Sequence, residues 1–341
     1  MNILNWWSIF HIVKAILFSD IHLGLSQDNP LFHQTTLDFA SWMAAEATAR
    51  GVDTLICGGD VFHSRKAIAL STIDVAYKFF EILKDFNVRI ITGNHDCLYL
   101  DNSNVHSISL LKQWENISVY DEPHYENIGG KMVGFIPWGT NVSEMLKCDV
   151  MFGHYEITGF QMGPAAFCKE GMTATDLLKK SPLIFSGHFH KPQKNTYKAG
   201  EIIYMGSPYQ HNWGEKGQEK YIYELDFKTL ELIDIENTES PKHVEISDAA
   251  DIDLVDGNIV RIFADDKDSD LIELVKSKDT ATVEAIVEDK QIKKAAETIA
   301  DFKGVDFKSG FVEVTENIEG PSKTLKKKIN AKVIDYLEQV G

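Results

Sequence analysis

Five short polar sequences that could carry metal-assisted chemistry occur in the first 190 residues of the chain. Each follows an apolar stretch and a turn containing glycine or serine. In chain order, the polar residues of the five sequences are Asp20 and His22; Asp60; Asn94, His95 and Asp96; His154; and His188 and His190. Carboxylate, amide and imidazole groups without thiolates suit divalent manganese, iron or zinc, whereas sets of oxygen ligands alone suit magnesium or calcium. Half of the 12 histidines lie in or beside these sequences.

The number of donors exceeds what one ion needs. It fits a pair of metals about 3.5–4 Å apart that share a carboxylate and clamp the attacking and leaving oxygens of a phosphoryl group. Asp60 is the carboxylate in the middle of the series and is therefore the expected shared ligand. Each residue also has a purely structural alternative, since Asp and Asn commonly satisfy backbone groups in turns. Their combination after five apolar stretches favours the metal centre.

The apolar stretches predict strands buried on both faces. They comprise residues 15–19, 54–57, 88–92, 132–136, 150–152 and 183–185, and later 201–204 and 221–226. Apolar residues at helical spacing predict helices over 31–50 and 71–86. Strands that alternate with helices indicate a layered α/β fold. Ligands of such sheets bind beyond the carboxyl ends of the strands, so the polar residues are expected to converge there.

Composition limits the classes of protein. The 341 residues include 34 Lys+Arg and 51 Asp+Glu, a net charge of −17, which excludes a polybasic nucleic-acid coat protein. Four scattered cysteines predict reduced thiols and a cytoplasmic protein. Residues 1–18 lack the basic and small-residue features of a targeting segment. Residues 1–12 are interpreted as an overrun of the reading frame or as a non-essential extension, with initiation near Val13. No stretch is long enough to predict a membrane span.

A second unit is predicted at 245–320, where 20 acidic residues face 9 basic ones. Its pattern predicts strands at 258–263, 282–287 and 311–314 and helices at 268–278 and 290–302. An amphipathic helix is predicted over 321–341, with lysines opposite its apolar face. The first domain would then span 13–240. The acidity of 245–320 argues against continuous contact with phosphates by that unit.

The sequences FSDIHLG, GDVFHSRK, GNHD and SGHFH, in this order, resemble those of the calcineurin-like metallophosphoesterase superfamily. They are most similar to the SbcD-type DNA-repair nucleases, and in particular to the recombination endonuclease subunits that phages encode. The resemblance is strong over residues 13–226 and weak beyond. It implies an α/β/β/α layered sandwich, a smaller α+β capping domain and a C-terminal helix.

The resemblance also implies roles for individual residues. One metal would be held by Asp20, His22 and His190, the other by Asn94, His154 and His188, and Asp60 would be shared. His95 would face the scissile phosphate as general acid or as a stabiliser of charge, Asp96 would fix its tautomer, and His63 would lie towards the DNA. From their position after His63, Arg65 and Lys66 are candidates for contacts with DNA phosphates, although solvated loop charges are an equal alternative.

The function expected from the resemblance is a manganese-dependent DNA exonuclease and endonuclease subunit that works with an SMC-like ATPase in recombination and repair. Magnesium, iron or zinc could replace manganese. The helix at 321–341 would dock on the ATPase, and helices around 67–86 and 103–114 would form a homodimer. The alternative is a metallophosphatase or phosphodiesterase that acts on small phosphoesters or phosphoproteins. Against phosphoproteins, Asp60 is followed by VFHSRK and not by the Asp-Arg-Gly usual in protein phosphatases. A non-enzymatic scaffold is a third alternative, which the intact ligand set argues against.

Overall fold

The computed structural model describes residues 13–99, 102–264 and 269–287. The predicted extension at 1–12, helix at 290–302, strand at 311–314 and helix at 321–341 therefore lie outside the described residues. Within the described ranges, no helix combines the length and the apolar character needed to cross a membrane.

Six strands form the first sheet. They are β1 (Lys14–Phe18), β2 (Thr54–Cys57), β3 (Asn87–Ile91), β4 (Ile117–Tyr120), β11 (Tyr221–Asp226) and β12 (Leu232–Glu236). Their spatial order is β12-β11-β1-β2-β3-β4. The strands β1 to β4 run parallel, and β11 is antiparallel to both of its neighbours. The polar turns after β1, β2 and β3 consequently emerge at one edge of this sheet.

The second sheet also has six strands. They are β5 (His124–Ile128), β6 (Lys131–Ile136), β7 (Val150–His154), β8 (Leu183–Gly187), β9 (Gln193–Tyr197) and β10 (Gly200–Tyr204). The order is β5-β6-β7-β8-β10-β9, in which β6, β7, β8 and β10 are parallel. His154 ends β7 and His188 follows β8, so both emerge at the same end of this sheet.

All eight strands predicted for the first domain are present within two residues of their predicted bounds. The strands that the sequence did not predict there are the four sheet edges, β4, β5, β9 and β12. Edge strands need not be apolar, because one side is unpaired and often exposed. In β9, four of five residues are exposed. Continuous apolar runs in the sequence therefore mark the interior strands and do not mark the edge strands.

Two helices cover the outer face of the first sheet, α1 (Pro30–Ala49) and α2 (Leu70–Ile82). Asn29 begins α1, because its side chain accepts a hydrogen bond from the backbone N–H of Leu31 and Pro30 follows it. Helix α2 ends earlier than the predicted residue 86. The chain turns after Leu83, and the Asn116 amide donates to the carbonyls of Leu83 and Phe86, which a continued helix would not leave available.

Alternation along the strands divides the core into layers. Ile16 and Phe18 of β1 pack against the helices, whereas Ala15 and Leu17 face the second sheet. The outer face of the second sheet is covered by the short helix α3 (Ala174–Leu178) and by loops. The α/β/β/α sandwich that the resemblance implied is confirmed.

A third sheet lies beyond the sandwich. Its parallel strands are β13 (His243–Ile246), β14 (Ile259–Ala264) and β15 (Thr282–Val287), with the helix α4 (Ser269–Lys276) packed on them. Shorter helical turns occur at Leu25–Asp28, Ser107–Gln113, Val142–Glu144, Trp213–Glu215 and Ala249–Leu254. The strand β13 begins before the predicted start of the second unit at 245. The domain boundaries themselves stay predictions.

The inner face of the second sheet carries a row of stacked phenylalanines, in which Phe152 of β7 lies between Phe135 of β6 and Phe185 of β8 at centroid distances of 5.5 and 5.3 Å. Phe152 is fully buried, so its replacement by alanine would leave a cavity between the sheets. We expect Phe152→Ala to lower the free energy of unfolding by about 3–5 kcal/mol in urea denaturation. Phe167, which is 57% exposed, supplies the control: Phe167→Ala should change stability by about 0.5 kcal/mol or less. Equal losses would contradict this account of the core.

Candidate metal centre

The backbone turns sharply where the strands end, and this turn aims the polar side chains into the crevice between the sheets. Asp20 and Asp60 have φ values of 56° and 54°, and His188 has a φ of 92°. Residues other than glycine rarely adopt this left-handed region, and such strained positions concentrate at functional sites. The strain fits side chains that have to point into a crevice directly after a buried strand.

Glycines allow the turns to approach one another. A Cβ on Gly93 would lie 2.2 Å from Asp60 Oδ1, and a Cβ on Gly59 would lie 2.7 Å from the Gly93 backbone nitrogen. Gly59 also has a φ of 98°, which favours glycine. Any larger residue at these two positions would separate the turns that carry Asp60 and Asn94.

One group of converging donors consists of Asn94, His154 and His188, here called the Asn94 set. Asn94 Oδ1 lies 2.8 Å from both His154 Nε2 and His188 Nδ1. Asp60 Oδ2 lies 3.4 Å from His154 Nε2. Burial lowers the pKa of His154, but the charge and hydrogen bond of Asp60 outweigh it and raise the pKa to about 9.

A second group consists of Asp20, His22 and His190, here called the His22 set. The Nε2 atoms of His22 and His190 are 3.1 Å apart. His22 Nε2 is 3.5 Å from the same Asp60 Oδ2 that faces the Asn94 set. Asp20, His22 and Asp60 each offer a ligand atom within 4.8 Å of the others. Asp60 Oδ2 therefore lies between the two sets.

These distances fit divalent ions. Ligand atoms about 2.1 Å from one ion are separated by about 3 Å when they lie at right angles. Asp20 and Asp60 are 0% and 1% exposed, and Asp20 accepts bonds from the backbone N–H of His188. Buried carboxylates are costly unless they are paired or coordinate metals. The imidazole nitrogens of both sets and the carboxylates of Asp20 and Asp60 thus face a common space that suits cations.

Three of the four histidines in the two sets have an oxygen acceptor behind the ring. His154 Nδ1 donates to the Gly58 carbonyl at 2.8 Å, which leaves Nε2 facing the centre. His190 Nδ1 lies 3.1 Å from Glu215 Oε1, and His188 Nε2 lies 3.6 Å from Glu156 Oε1. Each ring therefore presents its other nitrogen to the centre, as metal-binding histidines commonly do.

Glu215 was missed by the sequence analysis. It is 6% exposed, and its second oxygen bonds Lys220 Nζ at 2.7 Å. Burial raises the pKa of Glu215, but His190 and Lys220 outweigh burial and leave it well below its usual range. Its sequence context, GEKGQEK, is typical of an exposed loop, so no local signal separates it from Glu219.

His95 and His63 lie together beside the His22 set. The backbone N–H of His95 donates to Asp60 Oδ1 at 2.7 Å, and His95 Nδ1 lies 2.7 Å from the His63 carbonyl oxygen. The two rings stack with centroids 5.6 Å apart, and His63 Nδ1 is 3.2 Å from His22 Nδ1. Because Nδ1 of His95 contacts this carbonyl, Nε2 is the nitrogen available to exchange a proton with a bound group.

The tautomer role expected for Asp96 needs correction. Its carboxylate oxygens accept hydrogen bonds from the backbone N–H groups of Phe62 and Gly93, at 3.0 and 2.9 Å. Burial, followed by the charge of Asp60, raises the pKa of Asp96 to about 7. Asp96 therefore joins the two turns, and it is the His63 carbonyl that contacts the His95 ring.

Arg65 reaches the edge of the centre. In one orientation of the Asn94 amide, its oxygen faces His154 and His188; in the other, that oxygen accepts a hydrogen bond from Arg65 Nη2 at 2.6 Å. Lys66, the next residue, is exposed in the same loop. The structure thus brings Arg65, unlike Lys66, into contact with a candidate ligand.

A buried crevice with two donor sets around one carboxylate is typical of a metallophosphoesterase, and comparison with known proteins agrees. The profile of the calcineurin-like phosphoesterase family matches residues 13–222, and the chain belongs to this family. It is 28% identical to exonuclease subunit 1 of Enterobacteria phage T4 over 232 residues, which cover 64% of this chain and 66% of that protein.

Two further similarities are more distant or shorter. The putative phosphoesterase 244L of Invertebrate iridescent virus 6 is 29% identical over 189 residues, 50% of this chain and 63% of that protein. The chain thus spans just under two thirds of the length of these two relatives. A solved archaeal phosphodiesterase is 17% identical, with a TM-score of 0.39 over 66% of this chain and 99% of that one.

The position of Glu215 leads to a prediction about metal affinity. Glu215→Gln removes the charge behind His190, so we expect the affinity of one of two metal sites to fall about 10–100-fold in calorimetric titration with Mn²⁺. Glu219→Gln, an exposed change four residues away, should leave both affinities unchanged. Because Glu215→Gln leaves Lys220 without its anion, the double change with Lys220→Met separates loss of metal from loss of stability. Unaltered affinity in both variants would refute the role of Glu215.

Proposed function

We propose that this chain is a DNA nuclease with exonuclease and endonuclease activity. It would hydrolyse phosphodiester bonds with two divalent ions, and Mn²⁺ is the expected metal at both sites. The observation that carries the proposal is the position of Asp60 Oδ2, 3.4 Å from His154 and 3.5 Å from His22. One carboxylate oxygen between two donor sets suits a bridging ligand in a two-metal site. We assign Asp20, His22 and His190 to one ion and Asn94, His154 and His188 to the other, with Asp60 shared.

Ions held in this way supply Lewis acidity for the phosphate and a nucleophile from water at neutral pH. The chain supplies the rest. In this proposal His95 gives a proton from Nε2 to the leaving oxygen, or stabilises charge that develops there. Its backbone bond to Asp60 and its Nδ1 contact with the His63 carbonyl fix the ring, so little reorganisation is needed. Asp96 has a positioning role, since its carboxylate joins the turns.

The loop after Asp60 is the proposed contact with the substrate phosphate. Arg65 is within hydrogen-bond distance of the Asn94 amide and carries a guanidinium suited to phosphate. His63 is half-buried and its ring stacks on that of His95. In the sequence it lies between Asp60 and Arg65. We assign His63 and Arg65 to the DNA side of the centre, with Lys66 as an outer charge.

The choice of DNA over small phosphoesters is supported by the similarity to a phage exonuclease subunit. That protein's description as a subunit also supports a partner for this chain, which we propose to be an SMC-like ATPase acting in recombination and repair. The net charge of −17 agrees with a partner that contributes to DNA binding. The proposed docking helix at 321–341 and the capping role of 245–320 rest on the sequence. Hydrolysis of small phosphoesters is the alternative outcome of the experiment below.

The test compares linear DNA with a chromogenic phosphodiester in the presence of Mn²⁺ or Mg²⁺. We expect the purified protein with Mn²⁺ to degrade linear DNA, and His95→Ala to lower the rate about 10²–10⁴-fold while still binding two metals. Asp60→Asn, which removes the shared ligand charge, should weaken the binding of both. Loss of metal in His95→Ala would make His95 a ligand, and hydrolysis of the chromogenic substrate alone would favour the alternative function.

A homodimer is proposed through α2 and the turn at Ser107–Gln113. Leu70, Ile73 and Tyr77 lie on one face of α2 and are 85%, 43% and 60% exposed, and Leu110 is 56% exposed. Large apolar residues grouped on a surface mark interaction sites. We expect Ile73→Asp combined with Leu110→Asp to convert a dimer to a monomer in light-scattering chromatography. Leu146→Asp, at a position 62% exposed, is the control, and a monomeric unmodified protein would contradict the proposal.

A further inference from the structure

His211 is a buried histidine whose ring nitrogens have no hydrogen-bond partner among the described residues. The side chain lies in the loop between β10 and β11, and the residue is 3% exposed. Neither Nδ1 nor Nε2 forms a hydrogen bond within the part of the chain that the structure describes. His33 and His106, which are partly buried, each have a single buried ring nitrogen without a hydrogen bond. Buried polar groups in native proteins nearly always have a hydrogen-bond partner. The two unpaired nitrogens of His211 therefore indicate that this ring binds a ligand.

The ring of His211 lies directly against the His22 set. Its centroid is 5.3 Å from that of His22 and 4.8 Å from that of His190, edge to face in both cases. One nitrogen from each of the three rings lies within 4.8 Å of the other two. Three imidazole nitrogens at such separations can reach a single ion.

The same carboxylate positions two of these histidines. Glu215 contacts the His190 ring through Oε1 and accepts the backbone N–H of His211 through Oε2, at 3.2 Å. The His190 ring therefore directs Nε2 away from Glu215 and towards His22, from which it is 3.1 Å distant. His211 is held in the same short loop, so its ring keeps a fixed position beside this pair.

Simple packing does not explain an imidazole at this position. One side of the ring contacts Tyr209 at a centroid distance of 5.2 Å, where a phenylalanine would serve equally well. An apolar ring would avoid the cost of two unpaired nitrogens. The choice of histidine, at the end of the His22 set, points to coordination.

We propose that His211 is an additional ligand of the ion held by His22 and His190, an inference that rests on the metal centre proposed above. That ion would have three imidazole ligands, whereas the ion of the Asn94 set would have two. Nitrogen ligands favour zinc and cobalt over manganese and magnesium. The two sites are therefore expected to differ in metal preference, with the first equivalent of a zinc-like ion entering the three-imidazole site.

The first experiment counts imidazoles in the unmodified full-length protein. One equivalent of Zn²⁺ is added to the metal-free protein and examined by X-ray absorption spectroscopy. Three imidazoles around zinc are expected; two would overturn the proposal, because each site has two without His211. Absence of any bound metal would instead refute the metal centre on which the proposal rests.

The second experiment uses His211→Phe and Co²⁺, whose visible absorption reports coordination. The variant should bind two Co²⁺ ions, one with affinity at least about tenfold lower and with an altered spectrum, while Mn²⁺ affinity changes less. His33→Phe makes the same replacement outside the centre and should match the unmodified protein. Circular dichroism of the metal-free variants identifies any loss of fold. Unchanged Co²⁺ spectra and affinities in a folded His211→Phe protein would overturn the proposal.

Discussion

The buried carboxylate of Asp60 is the constraint on which the rest of the site depends. It is 1% exposed, its Oδ1 binds the backbone N–H of His95, and its Oδ2 faces both His22 and His154. A charge in such a position is tolerated only with close positive partners. Burial acts to raise the pKa of Asp60, but His154 and His22 leave it well below its usual range. Divalent cations would neutralise this carboxylate more completely than the histidines do.

That packing extends outwards through residues that do not face the centre themselves. Glu215 connects His190 to the buried Lys220, and the neighbouring Trp213 contacts the third sheet. Arg261 of β14 lies 3.8 Å above the Trp213 ring, and Lys216 pairs with Glu245 of β13. One short loop therefore joins the third sheet to the His22 set.

The acidity of the chain is compatible with a polyanionic substrate when its distribution is considered. Asp20 and Asp60 are buried among imidazoles in the crevice, and bound divalent cations would neutralise them. Residues 245–320 carry 20 acidic against 9 basic residues, so much of the excess lies in the second unit. Under the function proposed above, the affinity of this chain alone for DNA is expected to be low, and metals and a partner would supply much of it.

The sequence by itself determined the interior strands, the layered fold and the residues that converge, because apolar runs followed by Asp60, His95 or His188 are local patterns. It missed the four edge strands, whose partly exposed residues carry no continuous apolar signal. Only the tertiary structure decided which ring nitrogen faces the centre, that Asp96 holds two turns and leaves His95 alone, and that Glu215 and His211 belong to the site. These facts depend on distances between residues far apart in the chain, which local patterns do not encode.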